Sequence, residues 1–142
     1  MVDAVRELHE LLYGAGIPLD GFDGELCEAE AQALSTSSHR PFCLVRGWRI
    51  IDLEVDEAYR ESLLEDGLAP SVLYAREVVK DSAARLQTGT WVRSTYQRSL
   101  TKSYLFESVN TVYVLLGPGT RISGSARAVM NIGKSGGPLG QG

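Results

Sequence analysis

Five polar side chains able to make directed hydrogen bonds, Arg93, Thr95, Glu107, Asn110 and Tyr113, fall between Gly89 and Gly119, in the stretch GTWVRSTYQRSLTKSYLFESVNTVYVLLGPG. Arginine offers a planar fork for a carboxylate or phosphate, glutamate can exchange a proton, and hydroxyl and carboxamide groups fix orientation. Gathered on one face of a sheet, they would make a polar site for a partner protein or a small anionic ligand, with Arg93 as its anchor. A small enzyme acting on an anionic metabolite would need Arg93, Glu107 and Tyr113 together. The ordinary alternative is cross-strand pairing on a solvated face, with Arg93 meeting Glu107 diagonally and approaching Asn110. Such pairs contribute under about 1 kcal/mol each.

The familiar catalytic signatures do not accompany these residues. Gly133-Lys134-Ser135 invites a phosphate-loop reading, but the first glycine it requires would fall on Ala128, and a Gly-rich end gives no helix to follow. Gly117-Pro118-Gly119 lacks the third glycine of a dinucleotide fingerprint and reads as a turn. No serine lies in a nucleophile elbow and no HExxH occurs. His9, on the rim of a helix, and His39, in a polar loop, are poorly placed for a Ser-His-Asp arrangement. Cys27 and Cys43 stand in no metal-ligand spacing, so neither a metal nor another cofactor is implied, and both read as buried small hydrophobes.

A chain of 142 residues suits one domain, expected over 1–133, with 134–142 a flexible tail because GKSGGPLGQG offers little to bury. The first residues are amphipathic and charged rather than a basic segment before an apolar run, and nowhere do about 18 apolar residues follow one another. A soluble, cytoplasmic protein is expected. The formal charge of −4 gives no general attraction to a nucleic-acid backbone. Carboxylates crowd the first half, whereas Arg93, Arg98, Lys102, Arg121 and Arg127 face only Glu107 between Gly89 and Gly133. No recognition motif accompanies that basic half, so nucleic acid ranks behind a protein or a small anion as partner.

The elements that must position the polar set follow from periodicity. Val2, Val5, Leu8, Leu11 and Leu12 mark a helix over about residues 2 to 13, stopped by Gly14-Ala15-Gly16. Leu26, Ala29, Ala33 and Leu34 mark a second, and the two together suggest an N-terminal cap over residues 1–40. Phe42 to Val55 reads as two strands or one long bulged strand around Gly47. Asp56 caps a third helix with Ala58, Tyr59, Leu63 and Leu64 as its apolar stripe and Gly67 at its end. SVLYAREVVKD alternates as a strand, with Val72, Tyr74, Arg76 and Val78 on one face. Thr90 to Leu100 gives one strand, hairpinned through Thr101-Lys102-Ser103 to Tyr104 to Leu116, which is one strand or two broken near Ser108 to Asn110. Arg121 to Ile132 is a weaker final edge strand. The order implies an α+β domain with a largely antiparallel sheet and about three helices.

The words GTWVRSTYQRSL and YLFESVNTVYVLLGPG, with RPFCLVRGWRIIDLEV and PSVLYAREVVKDS before them, resemble an uncharacterised family of small proteins from pseudomonads and their mobile elements, a domain of unknown function. The similarity covers about residues 41 to 122. It implies no activity, cofactor or catalytic residue. It suggests an accessory or prophage-encoded gene, where small acidic inhibitors and binding proteins are common. Small size, acidity and a polar aromatic sheet then favour a non-enzymatic binding or inhibitor-type module, with the small enzyme as the alternative.

Overall fold

A computed structural model describes residues 2–37, 39–130 and 132; the expected flexible tail at 134–142 lies outside them. The elements run α1 (Val2–Tyr13), β1 (Ile17–Leu19), α2 (Leu26–Thr36), β2 (Phe42–Glu54), α3 (Glu57–Glu65), β3 (Ser71–Asp81), β4 (Val92–Arg93), β5 (Ser99–Thr101), β6 (Leu105–Glu107), β7 (Val112–Leu115), β8 (Gly119–Ser125) and α4 (Ala126–Met130). No helix among the described residues is long and apolar enough to cross a membrane.

β2 is the strand on which the sheet is built. β3 runs antiparallel along one edge, while β7 and then β8 run parallel along the other, β7 beside Phe42–Val45 and β8 beside Arg49–Glu54. β1 joins β8, and β6 and β5 extend from β7, all antiparallel. The sheet is therefore mixed, mostly antiparallel as expected but with β7 and β8 parallel to β2, and there are four helices among the described residues rather than about three. Strand periodicity shows which residues share a face but carries no sign of direction. The parallel pairs arise because the chain returns to β2 through the β5–β6 hairpin.

Several boundaries sharpen. Tyr104 to Leu116 is two strands, with the break at Ser108–Asn110. Thr90 to Leu100 is not one strand: Val92 and Arg93 pair with β3, and Ser99–Thr101 pair with β6. Between them Gln97 N donates to Ser71 O and Arg98 N to Glu107 O. One segment thus ties β3 to β6 and curls the sheet around a core containing Cys43, Val45, Trp48, Ile50, Leu73, Phe106 and Tyr113. Lys102 and Ser103 turn the hairpin with positive φ, 53° and 64°, a left-handed pair more often built with glycine.

The outer face divides in two. α2 covers Phe42, Leu44, Val112 and Val114 with Ala29 and Ala33, whereas α1 and α4 cover Ile51, Leu53 and Val72 with Leu11, Ala128 and Val129. The first two helices are therefore not one cap. α3 is anchored by Leu63 at 6% exposure while Leu64 stands 71% exposed, so the expected stripe narrows to one large aliphatic. Asp56 caps this helix as expected, accepting from Tyr59 N at 2.8 Å. Cys43 is buried, but Cys27, expected to be buried too, is exposed.

All three central strands break step at one level. Val45 and Trp48 on β2, and Ala75 and Val78 on β3, all face the interior, so each strand changes parity, at Arg46–Gly47 and at Arg76–Glu77. The simple alternation that put Val72, Tyr74, Arg76 and Val78 on one face therefore fails at Arg76. At the same level β7–β8 takes up one extra residue, since Val45 faces Leu115 but Arg49 faces Thr120. Gly47 has φ +63° there. Gly119 lies so close to the Trp48 ring that a Cβ would come within 2.2 Å of it. Both positions need glycine, the first for its left-handed backbone and the second for close approach.

Candidate functional site

Arg93 and Thr95 are brought together. They line a pocket of about 230 Å³ whose other walls are Tyr96 and the apolar side chains of Leu53, Val72, Val129 and Met130. β4 places Arg93 opposite Tyr74 on β3, and the crossing segment then carries Thr95 and Tyr96 past the same face. The Arg93 Nε is buried with no hydrogen-bond acceptor, and its Nη1 makes only a long contact of 3.5 Å to the Ser94 carbonyl. A desolvated N–H without an acceptor costs free energy that an incoming oxygen would recover.

Tyr96 adds a hydroxyl pair, its Oη lying 2.7 Å from Tyr59 Oη on α3. Burial first, then the Tyr59 hydrogen bond, pushes the Tyr96 phenol up to about 12, so it is neutral at pH 7 and both donates and accepts. The apolar walls come from β2, β3 and α4, and Met130 is 67% exposed at the rim. The pocket is smaller than the roughly 300 Å³ at which sites for drug-sized ligands begin, and it suits a short chain or a single ring.

The other three candidates lie elsewhere. Glu107 on β6 is held by an ion pair to Arg40 and by the Ser99 hydroxyl at 2.8 Å, so the expected diagonal partner of Arg93 is committed to another arginine. Asn110 sits exposed in the β6–β7 loop. Tyr113 points into the curled sheet with no exposure, and its hydroxyl lacks a hydrogen-bond partner. Burial above all, with the neighbouring Cys43, pushes that phenol well above its usual range. Arg93, Glu107 and Tyr113 therefore share neither a pocket nor a hydrogen bond.

Sequence reasoning missed Tyr96, which lines the pocket, and Tyr59, which hydrogen-bonds to it from outside the lining. Tyr59 stands three residues after the Asp56 cap and was assigned to the apolar stripe; its partner across the fold had no signal. It also missed Val129 and Met130, placed in an expected edge strand that is a short helix.

The model of a domain of unknown function, DUF6957, matches residues 20–131, spanning α2 through α4 and every residue of the Arg93 pocket. The chain belongs to the DUF6957 family. The match begins well before residue 41, so α2 and its contacts with β2 and β7 are part of the DUF6957 domain, while α1 precedes it. No curated protein and no solved structure matches the chain.

Proposed function

We propose that this DUF6957 protein is a non-enzymatic binding module, of the inhibitor or sequestering kind, whose partner or ligand presents a carboxylate attached to a small apolar group. The observation that carries the reading is the buried Arg93 Nε–H without an acceptor at the wall of an apolar pocket. A carboxylate would accept from the guanidinium fork, with Thr95 and Tyr96 beside it, while its apolar body would lie against Leu53, Val72 and Val129. The separation of Arg93, Glu107 and Tyr113 weighs against the alternative of a small enzyme built on those three. A cytoplasmic, accessory-gene setting in pseudomonads and their mobile elements belongs to the same proposal. It draws support from the resemblance of the sheet words.

Benzoate and hexanoate, each paired with its neutral amide, test the reading by NMR titration. The carboxylates should shift the Thr95 and Tyr96 amides with Kd of about 1 mM, the amides should bind at least about tenfold more weakly, and Arg93→Leu should remove the difference. Equal binding of acid and amide to the unaltered protein, or no response at this pocket, would sink the proposal whether or not the variant folds.

A further inference from the structure

α1 covers the outer face of the sheet only as far as Tyr13, and beyond its end lies a hollow of about 370 Å³ at the level where the three strands break step. Arg49 on β2 and Arg76 on β3 border it, with Gly47, Gly119 and Thr120. No carboxylate lines the hollow, and neither guanidinium belongs to any of the ion pairs among the described residues. Arg49 commits one N–H to the Leu11 carbonyl at 3.2 Å, which leaves most of its fork unengaged. Arg76 is exposed, and the missing Cβ at Gly47, which would sit 3.3 Å from both Arg76 Cβ and Nε, leaves that side chain room. The Thr120 hydroxyl is buried without a partner in the same wall.

The charge here is uncompensated. Burial holds the Arg49 guanidinium below its usual pKa; the Tyr74 phenol opposes that shift, and the like charge of Arg76 adds a smaller push in the same direction as burial. Two cations kept together without an acid favour a doubly charged anion over a single carboxylate. An uncharged hydroxyl lacking an acceptor beside them adds a directed donor of the kind found in phosphate sites.

We propose that this hollow, separate from the Arg93 pocket, binds the dianionic group of a phosphate monoester, with Arg49 and Arg76 as its cationic arms and the Thr120 hydroxyl donating to one oxygen. Inorganic phosphate titrated at low salt should bind saturably and shift the Gly119 and Thr120 amides. Arg76→Ala, at an exposed side chain, should keep the unfolding midpoint and weaken phosphate by about tenfold or more. Arg98→Ala, an exposed arginine outside the hollow, should leave phosphate affinity unchanged, and so should Arg93→Leu, which separates this site from the carboxylate pocket. Phenyl phosphate and a phosphoserine peptide, titrated in turn, distinguish a small ester from a modified chain, and tighter binding of either than of inorganic phosphate supports the monoester. Acetate binding as tightly as phosphate, undiminished phosphate binding by Arg76→Ala, or no saturable binding by the unaltered protein would overturn the assignment.

Discussion

Cys43 on β2 and Tyr113 on β7 stand in register across the parallel pair, both without exposed surface. They are the middle of a cross-strand row, with Asp81 of β3 opposite Cys43, Phe106 of β6 opposite Tyr113, and Leu100 of β5 beyond it. Burial pushes the Cys43 thiol up to about 12 and raises the Tyr113 phenol in the same direction, so both stay neutral inside the curled sheet. The row is thus a packed core line with one unsatisfied hydroxyl.

Tyr113→Phe should therefore be neutral or stabilising by up to about 1 kcal/mol, because it removes a buried polar atom that has no partner and keeps the ring against Phe106. Urea unfolding measures this. A loss above about 1 kcal/mol would show that the hydroxyl makes a hydrogen bond after all.

Asp81 fixes the loop after β3, accepting from the Arg85 and Leu86 backbone amides at 2.9 and 3.0 Å and from the Arg85 guanidinium. Burial alone would raise its carboxyl, but the Arg85 hydrogen bonds and charge, with the Ala83 and Leu86 amides, hold it below its usual range. A carboxylate whose folded pKa is depressed stabilises the fold above its unfolded pKa of about 3.9, and the stabilisation is lost as pH falls through the folded value. Asp81→Asn should cost about 1 to 2 kcal/mol at pH 7, and the gap to the unaltered protein should close below about pH 4. A gap of the same size at pH 7 and pH 3 would contradict the ionic account.

Leu63→Ala should cost about 2 to 5 kcal/mol, since Leu63 is the one residue of α3 that is buried. Leu64→Ala, at an exposed position, should fall within about 0.5 kcal/mol of zero. Equal losses at the two sites in chemical denaturation would mean that α3 packs on a different face.

Arg93→Ala and Glu107→Ala should add in unfolding free energy to within about 0.5 kcal/mol, because the two side chains do not meet. Arg40→Ala with Glu107→Ala should instead show coupling near 1 kcal/mol, as befits a half-buried ion pair. A double-mutant cycle in which Arg93 couples to Glu107 more strongly than Arg40 does would refute the arrangement.

What could be read from the sequence was what local physics decides. α1 begins and ends within a residue or so of its apolar spacing and glycine stop, α3 starts at its Asp56 cap, and Gly47 marks an irregularity in one long strand. Strand direction was not readable, because β7 and β8 have the same alternation whether they run with β2 or against it. Nor was the partner of Glu107: Arg40 is remote in sequence and reaches it only because β2 and β7 lie side by side. Of the site, Arg93 and Thr95 were legible as polar residues interrupting a sheet-forming stretch. Arg49 and Arg76 gave no such signal, since an arginine on an alternating strand reads as a solvated position until the surrounding charges are known.

The shared break at Arg46–Gly47, Arg76–Glu77 and Gly117–Pro118 also decides where the chain can change length. On either side of it β2 keeps its own inside-outside alternation, while β3 already takes up an extra residue, Val79, opposite Leu44–Val45, so a residue inserted within Ile50–Leu53 would turn the rest of that stretch inside out against its neighbours. A residue inserted at Gly117–Pro118 joins an excess already present, where no pairing between β2 and β7–β8 has to be kept. Insertions and deletions in related chains should therefore collect along this line across the sheet and at the neighbouring Val79 bulge of β3, as they do in surface loops, although both lie within the longest strands.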